Sequence, residues 1–147
     1  MNRRLFLKKS MATASIAAAV AAGLLTPNRV LASTSEFKKI SDIIKSKMDN
    51  AQEGSFILKA PEIAENGAMV PITVDALNIL DVKSIAIYVH KNKTPLTAYF
   101  ELPEASAFIT TRIKMAETSI VTAIVSTTTA SFTQSRSVKV TLGGCGG

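Results

Sequence analysis

The chain has 147 residues, a formal net charge of +6, one cysteine, no tryptophan and seven glycines. That length supports one ordinary domain, and a single cysteine excludes an internal disulfide framework and any multi-cysteine metal site. Surplus positive charge would suit a nucleic-acid partner, but Arg3, Arg4, Lys8, Lys9 and Arg29 all lie in the first 32 residues, which contain no Asp or Glu, and the remainder carries twelve basic against eleven acidic residues.

The chain opens as an address. Residues 1–9 are basic, Met11–Leu25 are apolar and Ala-rich, and Val30-Leu31-Ala32 has the small residues of a signal-peptidase site, so cleavage is expected after Ala32. The apolar run is short and rich in Ala, so no stable membrane anchor is expected. Asn2-Arg3-Arg4-Leu5-Phe6-Leu7-Lys8 follows the twin-arginine pattern of folded-protein export, with Asn2 where that signal usually has Ser or Thr. The expected location is the periplasm, an oxidising compartment, and residues 1–32 are assigned to the signal.

Residues 33–142 read as one domain. Ser33 and Glu36 have capping-box spacing, and Phe37, Ile40, Ile44 and Met48 share a helical stripe, which predicts a short amphipathic helix over about 36–50. After Gly54 the period changes to two. Strands are predicted over 55–60, from Val70 to Ala76, from Ile85 to Val89, from Leu96 to Leu102, from Ile109 to Met115, over 119–126, and from Ser137 to Leu142 with Val138, Val140 and Leu142 on one face, with Asn66-Gly67 and Thr94-Pro95 as turns. About seven short strands at this spacing predict an all-β fold, an immunoglobulin-like β-sandwich, although no Cys–Trp–Cys core pattern is present.

Between Glu117 and Arg136 there is no charge, and Ile120, Val121, Ile124 and Val125 place large apolar groups on both faces of one strand. Two readings stay open from composition: a central strand buried on both sides, or a face covered by another subunit.

The chain ends Leu142-Gly143-Gly144-Cys145-Gly146-Gly147. Ordering a backbone residue costs about 1–2 kcal/mol, and glycine brings no side chain whose burial offsets it, so residues 143–147 are expected to form a mobile arm unless something clamps them. Three residues from Leu142 to Cys145 would let the thiol sweep about 10 Å. The thiol does not look self-activated, because its neighbours are glycines and the nearest cationic residue in sequence is Lys139. His90, the one histidine, is expected to be structural. No Ser/His/Asp set, metal-spaced cluster or phosphate loop is visible, so neither enzyme activity nor a cofactor or metal is expected, and the arm reads as a thiol handle for other proteins.

The terminal Gly143-Gly144-Cys145-Gly146-Gly147 resembles the signature of the SoxY family, sulfur-substrate carriers of bacterial thiosulfate oxidation. Two internal segments also resemble that family: residues 60–71 (Ala60-Pro61-Glu62 to Val70-Pro71) and residues 111–119 (Thr111-Arg112-Ile113-Lys114-Met115-Ala116-Glu117-Thr118-Ser119). The resemblance implies immunoglobulin-like folds and a heterodimer with a SoxZ-like subunit, exported together, which favours a subunit interface at Ile120, Val121, Ile124 and Val125. It implies that Cys145 is the covalent attachment site for thiosulfate-derived sulfur. SoxXA would load the thiol, SoxB would remove sulfate, and SoxCD, where present, would oxidise the remaining sulfur. Arg112 and Lys114 should face away from the core and are candidate contacts for an anionic adduct, with a solvated or partner-paired charged face as the more economical reading. Two other classes compete: an exported structural β-domain that dimerises through Cys145, and a ubiquitin-like carrier of a terminal thiocarboxylate. The second needs ATP-dependent activation, which an export signal argues against.

Overall fold

The computed structural model describes residues 28–144; most of the predicted leader, and Cys145, Gly146 and Gly147, lie outside the described residues. The chain divides into two compact units, Met1–Ile40 and Ser41–Gly147. Helix α1 (Asn28–Asp49) runs through the division. It starts earlier than the capping-box spacing predicts, so Ser33 lies inside the helix and not at its cap. Neither Gly nor Pro interrupts 28–49, so no residue ahead of Ser33 in that stretch breaks the helix. The helix closes where the Asn50 side-chain amide donates to Ser46 O at 2.8 Å. Of its predicted apolar stripe, Ile44 is fully buried, Ile40 and Met48 are half-buried, and Phe37 is exposed.

The described residues form nine strands: β1 (Gln52–Glu53), β2 (Ile57–Lys59), β3 (Ile63–Ala64), β4 (Val70–Asp75), β5 (Val82–Val89), β6 (Leu96–Glu101), β7 (Phe108–Ile113), β8 (Ser119–Thr127) and β9 (Ser131–Val140). Seven are the expected strands. The other two, β1 and β3, are two-residue pieces that pair in parallel with β9. One sheet has the order β2-β4-β7, and the larger has the order β1-β9-β8-β5-β6, with β3 also on β9. This is an immunoglobulin-like sandwich.

The core follows from the period-two pattern. Leu58, Val70, Ile72, Val74, Ile109 and Ile113 of the smaller sheet and Ile85, Ile87, Val89, Val121, Ala123, Val125 and Val138 of the larger belong to one buried cluster. Strand β8 lies between β9 and β5, with Ala123 opposite both Gln134 and Ile87. Its uncharged sequence is explained by burial on both faces: Val121 and Val125 point into the core, and Ile124, on the other face, is also fully buried. The interface expectation is therefore corrected for Val121, Ile124 and Val125, which the chain's own residues cover. Ile120, 49% exposed, keeps a surface position.

Candidate functional site: the root of the C-terminal arm

The predicted arm leaves from the end of β9, and the two short internal segments singled out in the sequence meet it there. The β3 pairing sets Ile63 beside Lys139 and Ala64 beside Val140, which lays residues 62–69 along the end of the last strand. Lys139 N–H donates to Glu62 O at 2.9 Å and Thr141 N–H to Ala64 O at 3.1 Å. The Thr141 hydroxyl donates to Glu65 O at 3.1 Å. From the other side, the Thr118 hydroxyl oxygen accepts from Val140 N–H at 3.0 Å.

Beyond Thr141 the contacts become backbone to backbone. The Asn66-Gly67 turn is held by the Asn66 carboxamide oxygen, which accepts from Ala68 N–H at 2.9 Å. Gly67 then uses both of its peptide groups: its N–H donates to Leu142 O at 2.7 Å, and its carbonyl accepts from Met115 N–H at 2.7 Å. Met115 O in turn accepts from Gly144 N–H at 2.9 Å. Three hydrogen bonds thus link Leu142, Gly67, Met115 and Gly144 without any side-chain donor or acceptor.

This packing explains the glycines differently from free rotation. A Cβ on Gly143 would overlap the Ala116 carbonyl oxygen, and one on Gly144 would lie 2.8 Å from Gly67 O and from Ala68 N. A Cβ on Gly67 would overlap Met115 O and stand 2.8 Å from Gly144 N. All of these neighbours are main-chain atoms, which cannot swing aside as a side chain does. Gly144 is buried. The arm expected from residue 143 is packed against the chain at its first two residues. Gly143 and Gly144 are docked, because close backbone approach gives each of them hydrogen bonds or contacts that offset the entropy of ordering.

The other expected residues are placed as follows. Arg112 and Lys114 are exposed, Arg112 opposite Pro71 in the β4–β7 register, and Lys114 directly precedes Met115 of the root. His90 serves the sheet: its Nε2 lies 2.9 Å from the Thr122 hydroxyl, and its ring meets Tyr88 edge-on at 5.2 Å. Among the described residues no group of His, Cys, Asp or Glu is arranged to hold a metal ion, and no helix is long and apolar enough to cross a membrane. Sequence reasoning marked Gly67 only as a turn residue and did not single out Met115 for the root. The available signal was that both lie within the two segments that carry the family resemblance.

The fold and this root define a class: immunoglobulin-like sandwiches whose last strand ends in a backbone cradle that leads to the C-terminal residues. Residues 40–145 match the family described as sulfur oxidation protein SoxY, and the chain belongs to that family. The match reaches Cys145 and includes both segments that build the cradle. The chain is similar to the solved structure of the sulfur carrier protein SoxY from Chlorobium limicola f thiosulfatophilum, with 36% identity and a TM-score of 0.59 over 71% of this chain and 98% of that one. No curated protein matches.

Proposed function

We propose that this protein is a periplasmic sulfur carrier that binds thiosulfate-derived sulfur covalently on Cys145 and presents it to the enzymes of thiosulfate oxidation. The observation that carries the reading is the docked root: two segments distant in sequence build a backbone cradle that fits only glycine and stands immediately before the single cysteine. Such a cradle gives the cysteine that follows it a defined point of departure. The family membership and the titled function of the solved relative support the same reading.

In loading, a partner enzyme takes two electrons, the thiol loses its proton, and a sulfur–sulfur bond forms between Sγ and the terminal sulfur of thiosulfate, leaving a Cys–S–S–SO3⁻ adduct. Hydrolysis then adds water across the sulfur–sulfonate bond, releasing sulfate and two protons and leaving a persulfide on Cys145. The persulfide is oxidised further by a sulfane dehydrogenase or passed on. In this scheme the chain orients and tethers the sulfur while partners perform the chemistry. Arg112 and Lys114 are candidate contacts for the anionic adduct, and a SoxZ-like subunit is the expected permanent partner. The twin-arginine leader, cut after Ala32, would export the pair already folded.

The test is the mass of the C-terminal peptide from protein isolated out of thiosulfate-oxidising cells. Additions of thiosulfate or of sulfur on Cys145 are expected. A thiol or a plain disulfide dimer alone, under active turnover, would overturn the reading and favour a structural domain. Cys145→Ser should abolish thiosulfate oxidation with the fold and the partner retained.

A further inference from the structure

Residues 114–116 follow β7 and have no strand partner in the sheet register, whose last β4–β7 pair is Val70 with Ile113. Yet this segment supplies Met115, whose two peptide groups both enter the root. Something else must orient it. Asn92, in the turn between β5 and β6, is buried at 6% exposure and uses both ends of its carboxamide on this segment. Its Nδ2 donates to Lys114 O at 2.8 Å, and its Oδ1 accepts from Ala116 N–H at 3.1 Å. One planar group therefore brackets Met115 from both sides.

The turn that holds Asn92 is itself tied down. Asn92 N–H donates to Val89 O at 3.2 Å, and Lys91 N–H donates to the Ser119 hydroxyl, at the start of β8, at 3.0 Å. A carboxamide is the side chain that suits this position, because it offers a donor and an acceptor in one plane. An Asp of the same shape would set a second acceptor against the Lys114 carbonyl. An Ala would leave a buried N–H and a buried C=O without their partner, a costly arrangement.

We infer that Asn92 is a positioning residue for the C-terminal arm: it fixes the direction of the Met115 peptide groups and so decides whether Gly144 stays docked. The consequence for sulfur delivery rests on the reading of Cys145 as the attachment site, but the docking claim does not.

The experiment is residue-resolved backbone amide exchange on the full mature chain, alone and with its partner subunit, for wild type, Asn92→Ala and the shape-conserving Asn92→Asp. Protection at Gly144, Gly67 and Met115 should fall by tenfold or more in both variants, while Ile87 and Val125 in the core strands keep their wild-type protection. Unchanged protection at Gly144 would overturn the inference. So would a parallel loss at all five sites, since that is the signature of a merely structural residue. If Asn92→Ala does not fold, Asn92→Asp decides by the same criterion. Sulfur loading of Cys145, followed by mass in the same samples, reports on the carrier reading separately: a docked root with no sulfur adduct would count against the carrier and not against the role of Asn92.

Discussion

Adding a single methyl group at Gly143 separates a docked root from a flexible tether. If residues 143–147 were only a loose chain end, Gly143→Ala would change little. In the structure its Cβ falls on the Ala116 carbonyl oxygen, a main-chain atom that cannot swing aside as a side chain does. Relief requires residues 142–144 to withdraw, which breaks both the Gly144–Met115 hydrogen bond of 2.9 Å and the Gly67–Leu142 bond of 2.7 Å. At about 0.5–1.5 kcal/mol net for each bond, the docked state loses about 1–3 kcal/mol. That corresponds to a shift of about 5- to 150-fold toward the undocked state. Global stability should change less, because an alanine stiffens the unfolded chain and returns about 0.4–1 kcal/mol where it is tolerated. The assay is amide exchange at Gly144 and Gly67, with the buried amides of β8 as the internal reference. Equal protection of Gly144 in variant and wild type would refute the close-packing argument.

Further outcomes follow from the same geometry. Ile124→Ala should destabilise the isolated domain by about 2–5 kcal/mol in denaturant titration, because the side chain is fully buried within the chain. Ile120→Glu, at a half-exposed position on the same strand, should leave that midpoint nearly unchanged, and loss of co-purification with the proposed SoxZ-like subunit would then place the interface at that end of β8. Asp81 carries a positive φ of 60° and is bonded to Lys83 Nζ at 2.6 Å and to the Thr128 hydroxyl at 2.5 Å. The Lys83 contact, then that of Thr128, holds its carboxyl below its ordinary pKa. A carboxylate depressed in the folded state stabilises above its unfolded pKa and loses that contribution as pH falls through the folded one. The thermal midpoint of Asp81→Asn should therefore lie slightly below wild type at neutral pH, with the gap closing in the acid range; a gap constant with pH would show that the charge contributes nothing.

Much of the sandwich was legible because its strands alternate cleanly. Val70, Ile72 and Val74 announce an inward face, and Asn66-Gly67 announces a turn. What was not legible has physical causes. Strands β1 and β3 are two residues long, too short to show any period, and they exist because β9 offers an edge to pair with. The start of the helix was misplaced because Ser33 and Glu36 form a good cap only where a helix has reason to begin, and the preceding residues are equally helix-compatible. The glycines of the arm were ambiguous in kind. Glycine serves free rotation and close packing equally well, and only the position of Ala116 O and Gly67 O distinguishes the two. The uncharged stretch of β8 likewise fitted either a partner or the chain's own interior, and burial of Ile124 settles that position.

On the proposed carrier reading, the docked root also changes how crowded the cargo would be with respect to any partner that binds nearby. A tether hinged at Leu142 would spread its cysteine through a sphere of about 10 Å radius, whereas one held at Gly144 leaves a single Cα-to-Cα step of about 3.8 Å. Volume scales with the cube of the radius, so a tether of one residue sweeps a space smaller by roughly an order of magnitude and would raise the effective concentration of what it carries in proportion. The same confinement limits depth. An enzyme that receives its substrate from a docked root must bring its reacting centre close to the surface formed by Gly67, Met115 and Ala116, and one with a deeper cleft must first peel Gly144 away from Met115.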